Sequence, residues 1–319
     1  MKKVLVLTYG EDPHADSVCN YLSENKIFSF RVDTEKLMGN YKLKFDSKTL
    51  NYTLCNGNRT IVIDCSWNIW NRRVMNPDVK KGTSRSLTDI IFEESERTWD
   101  GLLISHKGRV VNRPQHHYYS NNKIDQIRFA SESSTKVRVP DTIITNDPKI
   151  VKAFYKKHKG NICFKLQKGA IVESQKGHLT VYTNKVTQDN MKKVELVSSH
   201  PCLFQEYIDK EFETRVIATD RGQIGIAIHS QKSEISKVDF RRYDFENVTY
   251  EHVELPNNVG LFCSEMLKHY GLHFGVFDFI YSKDRKYNFL ELNPNGQWLW
   301  LEIKSGYNLT KIVAENLIE

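Results

Sequence analysis

The stretch VFDFIYSKDRKYNFLELNPNGQWLWLE, Val276 to Glu302, decides how this chain is read. Two runs of mixed apolar and polar residues flank SKDRK, so the segment is expected to form a β-hairpin with its turn there. Asp278 on the first strand can then face Glu291 on the second, with Asn293 two residues further along the same face. Like charges opposite each other in a sheet are unfavourable unless something neutralises them, and a divalent cation does so. Two carboxylates and a carboxamide oxygen are hard ligands that suit magnesium, which fills its remaining positions with water or phosphate oxygens. Asp278, Glu291 and Asn293 are accordingly read as metal ligands. The alternative is a solvated hairpin face, since alternation alone puts polar residues on one side of a strand.

A magnesium ion with few protein ligands implies a nucleoside triphosphate, so cations for its phosphates should be present. The chain has neither a GxxxxGK[ST] loop nor the HRD and DFG motifs of protein kinases. It does have Lys165 inside the apolar run NICFKLQKG, just before a glycine-containing loop. Such a lysine is costly to bury without an anion, and a phosphate would serve. The alternative is a strand-end lysine that snorkels to water. Lys123, at the start of a predicted helix, is a second candidate.

Composition narrows the function classes. A chain of 319 residues with 39% hydrophobic residues can bury two or three ordinary cores. The net charge of +7 favours anionic partners. Its basic residues are spread out rather than gathered into a nucleic-acid module, so nucleotide or acidic peptide is expected and nucleic acid is not. MKKVLVL carries too short an apolar run for a signal peptide, which places the protein in the cytoplasm. No apolar run approaches the roughly 20 residues that span a bilayer, so no membrane partner is expected. Six cysteines without a CxxC pair are expected to be reduced core thiols.

The organisation along the chain is a succession of three α+β units. KKVLVLTYGEDPHADSVCNYLSENKIFSFRVD opens as βαβ, although its single glycine does not make a dinucleotide fingerprint. Strands are expected at Lys42 to Phe45, Leu50 to Cys55 and Thr60 to Ile63, and a helix from Ser86 to Leu103. A Pro-marked loop, NRPQHHYYS, precedes the helix at Lys123, with His116 and His117 as packing residues. A strand in VRVPDTIITND, a helix over PKIVKAFYKKH, and the strand NICFKLQKG with a hairpin return in HLTVYTNKV follow. The last region holds strands in CLFQEYIDKEFETRVIAT and QIGIAIHSQ, the excursion DFRRYDFENV, a helix from Pro256 to Tyr270, the hairpin, and one closing helix after Leu301.

Lys123, Lys165 with its following loop, FQEYIDKEFETRV, Asp278 and ELNPNG resemble the ATP-grasp ligases in order and approximate spacing, over essentially the whole chain. WNIWNRR, NRP before NK, VPDTIITND, YTNKV, DFRRYD and NPNGQWLWLE are similar to the microviridin-type graspetide synthetases within that family. The resemblance implies an α+β ATP-grasp fold: a pre-ATP-grasp-like α/β domain at 1–110, a central lobe at 111–203 and a C-terminal lobe with the magnesium site at 204–319. It implies ATP and Mg2+ as cofactors. Lys123 and Lys165 would contact the phosphates under a cover formed by Gln167 to Lys176. The segment Gln205, Glu206, Tyr207 and Ile208 would be the hinge whose backbone, at Glu206 and Ile208, binds adenine, and Glu213 would hold the ribose. Arg215 would face the transferred phosphate, with Asp278, Glu291 and Asn293 as magnesium ligands. Arg241 would clamp the substrate carboxylate or acyl phosphate, as a guanidinium fork suits such oxyanions. Asp239 would be either the base for the attacking hydroxyl or the structural partner of Arg242.

The chemistry so implied is ligation through an acyl phosphate. In graspetide synthetases the carboxylate is an Asp or Glu side chain of a ribosomal precursor peptide, and a Ser or Thr hydroxyl or a Lys amine of the same peptide closes an ester or amide ring. The partner would be a leader plus an acidic core, and a homodimer is left open. The leader is expected on the hairpin Ala170 to Thr183 and on Thr187 to Lys193, with Asp189 facing a leader cation; an ordinary hairpin with a solvated helix is the alternative. Two rival functions are an ATP-grasp ligase joining a free amino acid to a small molecule or protein tail, and a non-catalytic nucleotide- or nucleic-acid-binding protein. Asp278, Glu291 and Asn293 together argue against the latter.

Overall fold

The computed structural model describes residues 2–57, 59–168, 171–174, 177–180 and 182–318, with backbone alone at 171–174 and 177–180. The chain opens as the expected βαβ unit: β1 (Lys3–Thr8), α1 (Pro13–Glu24) and β2 (Phe28–Asp33), with β1 and β2 parallel. β1 is buried along nearly its whole length, as befits a parallel strand covered on both faces. Asp12 caps α1 by accepting from His14 N at 3.1 Å, and Pro13 occupies the first turn, where its missing N–H has no helical partner to lose.

A broken turn, α2 (Leu37–Asn40), leads into an antiparallel meander of β3 (Tyr41–Asp46), β4 (Asn51–Asn56) and β5 (Arg59–Ile63). β6 (Trp67–Asn71) returns to pair with β1. The long helix α3 (Arg85–Ser105) and the short strand β7 (Val110–Val111) complete a parallel sheet of order β2-β1-β6-β7. Trp99, Leu102 and Leu103 of α3 share a core with Leu5, Leu7 and Ile69 of that sheet.

One expectation fails next: Pro114–Ser120 is a helix, α4, and not a loop. Its proline stands at the first helical position, a start signal rather than a breaker. α5 (Lys123–Glu132) begins at the expected lysine, with Asn122 capping it through Asp125 N. The middle sheet then forms from β8 (Thr142–Thr145), β9 (Ile162–Lys165), β12 (Asn184–Lys185) and β13 (Cys202–Glu206) in the order β12-β9-β13-β8, so it extends past residue 203. α6 (Pro148–Lys157) covers it. Among the described residues β10 (Ile171–Ser174) and β11 (Gly177–Thr180) pair only with each other, and a single turn, α7 (Gln188–Met191), follows β12.

The last sheet has the order β16-β15-β14-β17-β18, from β14 (Lys210–Thr219), β15 (Gly222–Ile228), β16 (Tyr250–Val253), β17 (Phe274–Ser282) and β18 (Tyr287–Asn293). α8 (Asn257–Tyr270) lays Phe262 and Met266 against Phe277, Phe279 and Phe289. The chain closes with two helices instead of the one expected, α9 (Leu299–Ser305) and α10 (Leu309–Asn316). Gly306 takes a left-handed φ of 70°, which ends α9, and Asn308 caps α10. Leu309 and Val313 of α10 join Val4, Ala15, Ile217 and Val276 in one core, so the end of the chain ties the first sheet to the last.

Candidate active site

A cavity of about 880 Å³ opens between the middle and last sheets, and every site residue expected from the sequence lines it except Arg215. Its floor is the β17–β18 hairpin. Tyr281 pairs with Tyr287, Ile280 with Asn288 and Phe279 with Phe289, but Asp278 then pairs with Glu291. Leu290 is the extra residue of a β-bulge. In an unbroken strand Glu291 would share a face with Phe289, which is buried in the core; the bulge turns it towards the cavity.

The two carboxylates have different surroundings. Burial pushes the Asp278 carboxyl above the ordinary carboxylate range, against the pull of Arg215, and Glu291 adds to the rise. Arg215 Nη1 reaches both oxygens of Asp278 at 2.9 and 3.0 Å, and its Nε donates to Gln297 O at 3.1 Å. Arg215 therefore stands behind Asp278 rather than in the cavity wall. Burial would also raise the Glu291 carboxyl, but Lys123, Arg241 and Lys165 hold it below its usual range, and Lys123 Nζ donates to Glu291 Oε2. Asn293 lies exposed at the cavity edge, its Oδ1 accepting from Asn295 N at 3.0 Å.

Among the described residues no three His, Cys, Asp or Glu side chains are grouped to hold a metal ion. A cation at this hairpin would rest on Asp278, Glu291 and the Asn293 carboxamide. The donors fit magnesium: all are hard oxygens, the carboxylates face each other across a strand pair, and too few are present to fill an octahedron without phosphate or water.

Lys165 does not snorkel outwards. Its Nζ donates to Gln205 Oε1 at 2.7 Å inside the cavity, and Gln205 Nε2 donates in turn to Thr142 Oγ1 at 2.9 Å. Burial lowers the Lys165 pKa, while Cys163 and Glu291 work against the fall. An incoming anion would relieve that desolvation. At the end of β13, Glu206 N donates to Asp141 O at 2.8 Å and Tyr207 N to Asn161 O at 2.9 Å. The Glu206 side chain turns to Arg138 Nη2, at 2.9 Å. Ile208 N–H has no protein acceptor among the described residues, so it is a donor available to a planar ligand. Glu213 accepts from Lys210 Nζ and Ser230 Oγ, and burial raises its carboxyl against the pull of Lys210.

Asp239 is the partner of Arg241, not of Arg242. Arg241 Nε and Nη2 grip its two oxygens at 2.9 and 2.6 Å, and Thr183 N donates to Oδ2 at 2.9 Å. Burial opposes ionisation of Asp239, yet Arg241 outweighs it and holds the carboxyl at about 2. Arg242 instead donates to Asn184 Oδ1 at 2.5 Å and stands over the Tyr182 ring.

Gly169, Ala170, Gln175, Lys176 and Val181, which belong to the expected phosphate cover and leader hairpin, lie outside the described residues. Asp189 pairs with Lys192 at 2.7 Å on the exposed surface. Beside it a second cavity of about 390 Å³ is lined by Phe164, Val186, Met191 and Phe204.

Two supports of the site were not anticipated. Lys210 donates to Glu213 and neutralises it; strand alternation would put the two on opposite faces, and a register shift between Lys210 and Phe212 brings them together. Asn112 donates to Phe274 O at 2.8 Å and Pro294 O at 3.0 Å, tying the end of the first sheet to both ends of the hairpin.

Residues 3–118 match the family described as the MvdD pre-ATP grasp domain. No curated protein is significantly similar to the chain. Among solved structures, a RiPP-associated ATP-grasp ligase of Chryseobacterium gregarium, in complex with ADP and a leader and core peptide, superimposes with a TM-score of 0.89 at 24% identity, covering 100% of this chain and 96% of that one. The macrocyclase MdnC of Microcystis aeruginosa MRC, bound with precursor peptide MdnA, gives a TM-score of 0.85 at 22% identity, covering 99% of each chain. The macrocyclase MdnB of the same organism gives 0.79 at 26% identity, covering 100% of this chain and 99% of that one. The chain has the ATP-grasp fold, opens with a pre-ATP-grasp domain of the MvdD type, and resembles the microviridin-type ATP-grasp ligases.

Proposed function

We propose that this chain is an ATP-dependent ligase that closes ester or amide rings in a ribosomally made precursor peptide. The observation that carries the reading is the pairing of Asp278 with Glu291 on the floor of a nucleotide-sized cavity that also holds Lys123 and Lys165. The solved ligases that bind ADP with leader and core peptide, or a precursor peptide, share this fold and support it.

In this reading an Asp or Glu carboxylate of the peptide attacks the γ-phosphorus of ATP, ADP departs, and an acyl phosphate forms. A Ser or Thr hydroxyl, or a Lys amine, of the same peptide then displaces phosphate. Lys123 and Lys165 bind the nucleotide phosphates, Ile208 N–H and the Glu206 carbonyl bind the adenine edge, and Glu213 binds the ribose. Arg215 acts through Asp278, which it holds. Arg241, whose Nε and Nη2 are held by Asp239, offers its remaining N–H donors to the acyl phosphate oxygens; a carboxylate held at about 2 is too weak a base to take the nucleophile's proton efficiently. Asp278, Glu291 and Asn293 would hold magnesium, which would supply charge neutralisation at the phosphates. The net charge of +7 would steer an acidic core peptide. The leader would lie along Thr187 to Lys193, where the second cavity can take its apolar residues. Six free cysteines are in keeping with action in the cytoplasm.

Mass spectrometry of a candidate precursor peptide after incubation with the protein, ATP and magnesium tests this. Each ring formed through an acyl phosphate removes one water, about 18 Da, and must depend on ATP. An unchanged peptide, with ATP consumed only when free amino acids are added, would assign the chain to the amino-acid ligases instead.

A further inference from the structure

Arg72 is a fully buried cation outside the cavity, 1% exposed at the end of β6 in the N-terminal domain. A buried guanidinium is tolerated only when its charge and donors are met. Nε donates to Asp12 Oδ2 at 3.2 Å, and the ring of Trp298 stands 5.3 Å from the guanidinium carbon. Nη1 donates to Asn295 Oδ1 at 2.8 Å and to Asn295 O at 3.2 Å, while Asn295 Nδ2 returns a bond to Arg72 O. One residue of the first domain thus holds three polar groups of Asn295.

From Asn295 the connection runs both ways along NPNGQ. Asn295 N donates to Asn293 Oδ1 at 3.0 Å, orienting that oxygen while leaving it a lone pair. Two residues on, Gln297 O accepts from Arg215 Nε at 3.1 Å, and Arg215 holds Asp278. Gly296 between them packs so closely that a Cβ there would stand 2.4 Å from Val276 Cβ, so this backbone has no room to drift.

We propose that Arg72 is a positioning residue for the metal site: by fixing Asn295 it aims the Asn293 carboxamide and braces the backbone on which Arg215 and Asp278 depend. This rests on the reading of Asp278, Glu291 and Asn293 as metal ligands. Groups that orient a ligand from behind typically change metal affinity by roughly 10- to 100-fold. A purely structural role would lower the melting temperature and leave that affinity where it was.

The test is Mn2+ binding to the enzyme–ADP complex, read from the free-ion EPR signal, in the wild type, Arg72→Lys, Asn295→Ala and the double variant. Arg72→Lys keeps a cation against Asp12, and Asn295→Ala leaves the Arg72–Asp12 pair intact, so the second decides the matter should the first not fold. The expected result is Mn2+ affinity weakened roughly 10- to 100-fold in each single variant, with the double variant no worse than the weaker single, since both cut one connection. Variants that bind Mn2+ within twofold of the wild type, whatever their melting temperatures, would overturn the proposal. A wild type that retains no Mn2+ with ADP would instead remove the ligand assignment itself and the proposal with it, so the wild type alone separates the two failures.

Discussion

Asp278 stands opposite Glu291 because Leu290 is one residue more than the strand pairing requires. Without that bulge Glu291 would point at the phenylalanine core, where an unpaired carboxylate is untenable. Turned to the cavity, it meets Lys123 and an arrangement of hard oxygens that asks for a cation. Glu291→Gln keeps the shape and removes the charge, so ATP-dependent turnover should fall by roughly 10²- to 10³-fold, the scale for losing one preorganised electrostatic contact. Its melting temperature should move by only a few degrees. Steady-state kinetics beside a thermal melt checks this, and a normal turnover would remove Glu291 from the site.

Among the described residues Lys165 has only the neutral Gln205 carboxamide as a hydrogen-bond partner, and burial lowers its pKa. A phosphate is the partner that would make the buried charge favourable. Lys165→Met should therefore leave the ligand-free protein as stable as before or more so, while the stabilisation conferred by saturating ADP shrinks, because that stabilisation tracks affinity. Melting curves with and without ADP measure both. A full ADP shift in the variant would take Lys165 away from the phosphates.

The elements that carry the site were legible because each follows from a local rule: hairpin turns, cap residues, and lysines stranded in apolar runs. Even so, Asp278 and Glu291 were matched without the bulge at Leu290, which strict counting from the SKDRK turn would have required. A bulge has no local signal strong enough to read. Pro114 reads in the sequence as the mark of a loop, yet it stands at a helix start, and Gly306, which stops α9, has no flanking signal that separates two closing helices from one. Arg72 carried the same signal as Lys165, a cation ending an apolar strand, but its partners, Asp12 and Asn295, lie 60 and 223 residues away. Pairings of that separation belong to the tertiary fold.

Arg241 and Asp239 can be told apart by experiment. Arg241→Ala should retain nucleotide binding and lose most peptide product, since the guanidinium reaches the cavity and Asp239 serves to grip it there. Asp239→Asn should lower kcat by loosening Arg241, yet leave the pH dependence of kcat/KM between pH 5 and 8 unchanged, because a carboxyl held at about 2 does not titrate there. A kcat/KM profile whose acidic limb disappears in Asp239→Asn would make Asp239 the base.

Acid should unfold this protein through its histidines. Burial lowers the pKa of His14, His106 and His116, and pushes His117 down to about 4, with His116 as the second cause for His117. A histidine whose folded pKa lies below its unfolded value of about 6.5 takes up its proton first in the unfolded chain, so protonation favours unfolding. The stability is fully present above pH 6.5 and is lost as the pH falls from there towards 4. The melting temperature should hold between pH 7 and 8 and drop by several degrees from pH 6.5 to 5. His117→Gln, which cannot titrate, should flatten part of that drop in the same melts. An equal drop in the variant would exclude His117, and a flat wild-type curve would exclude the whole group.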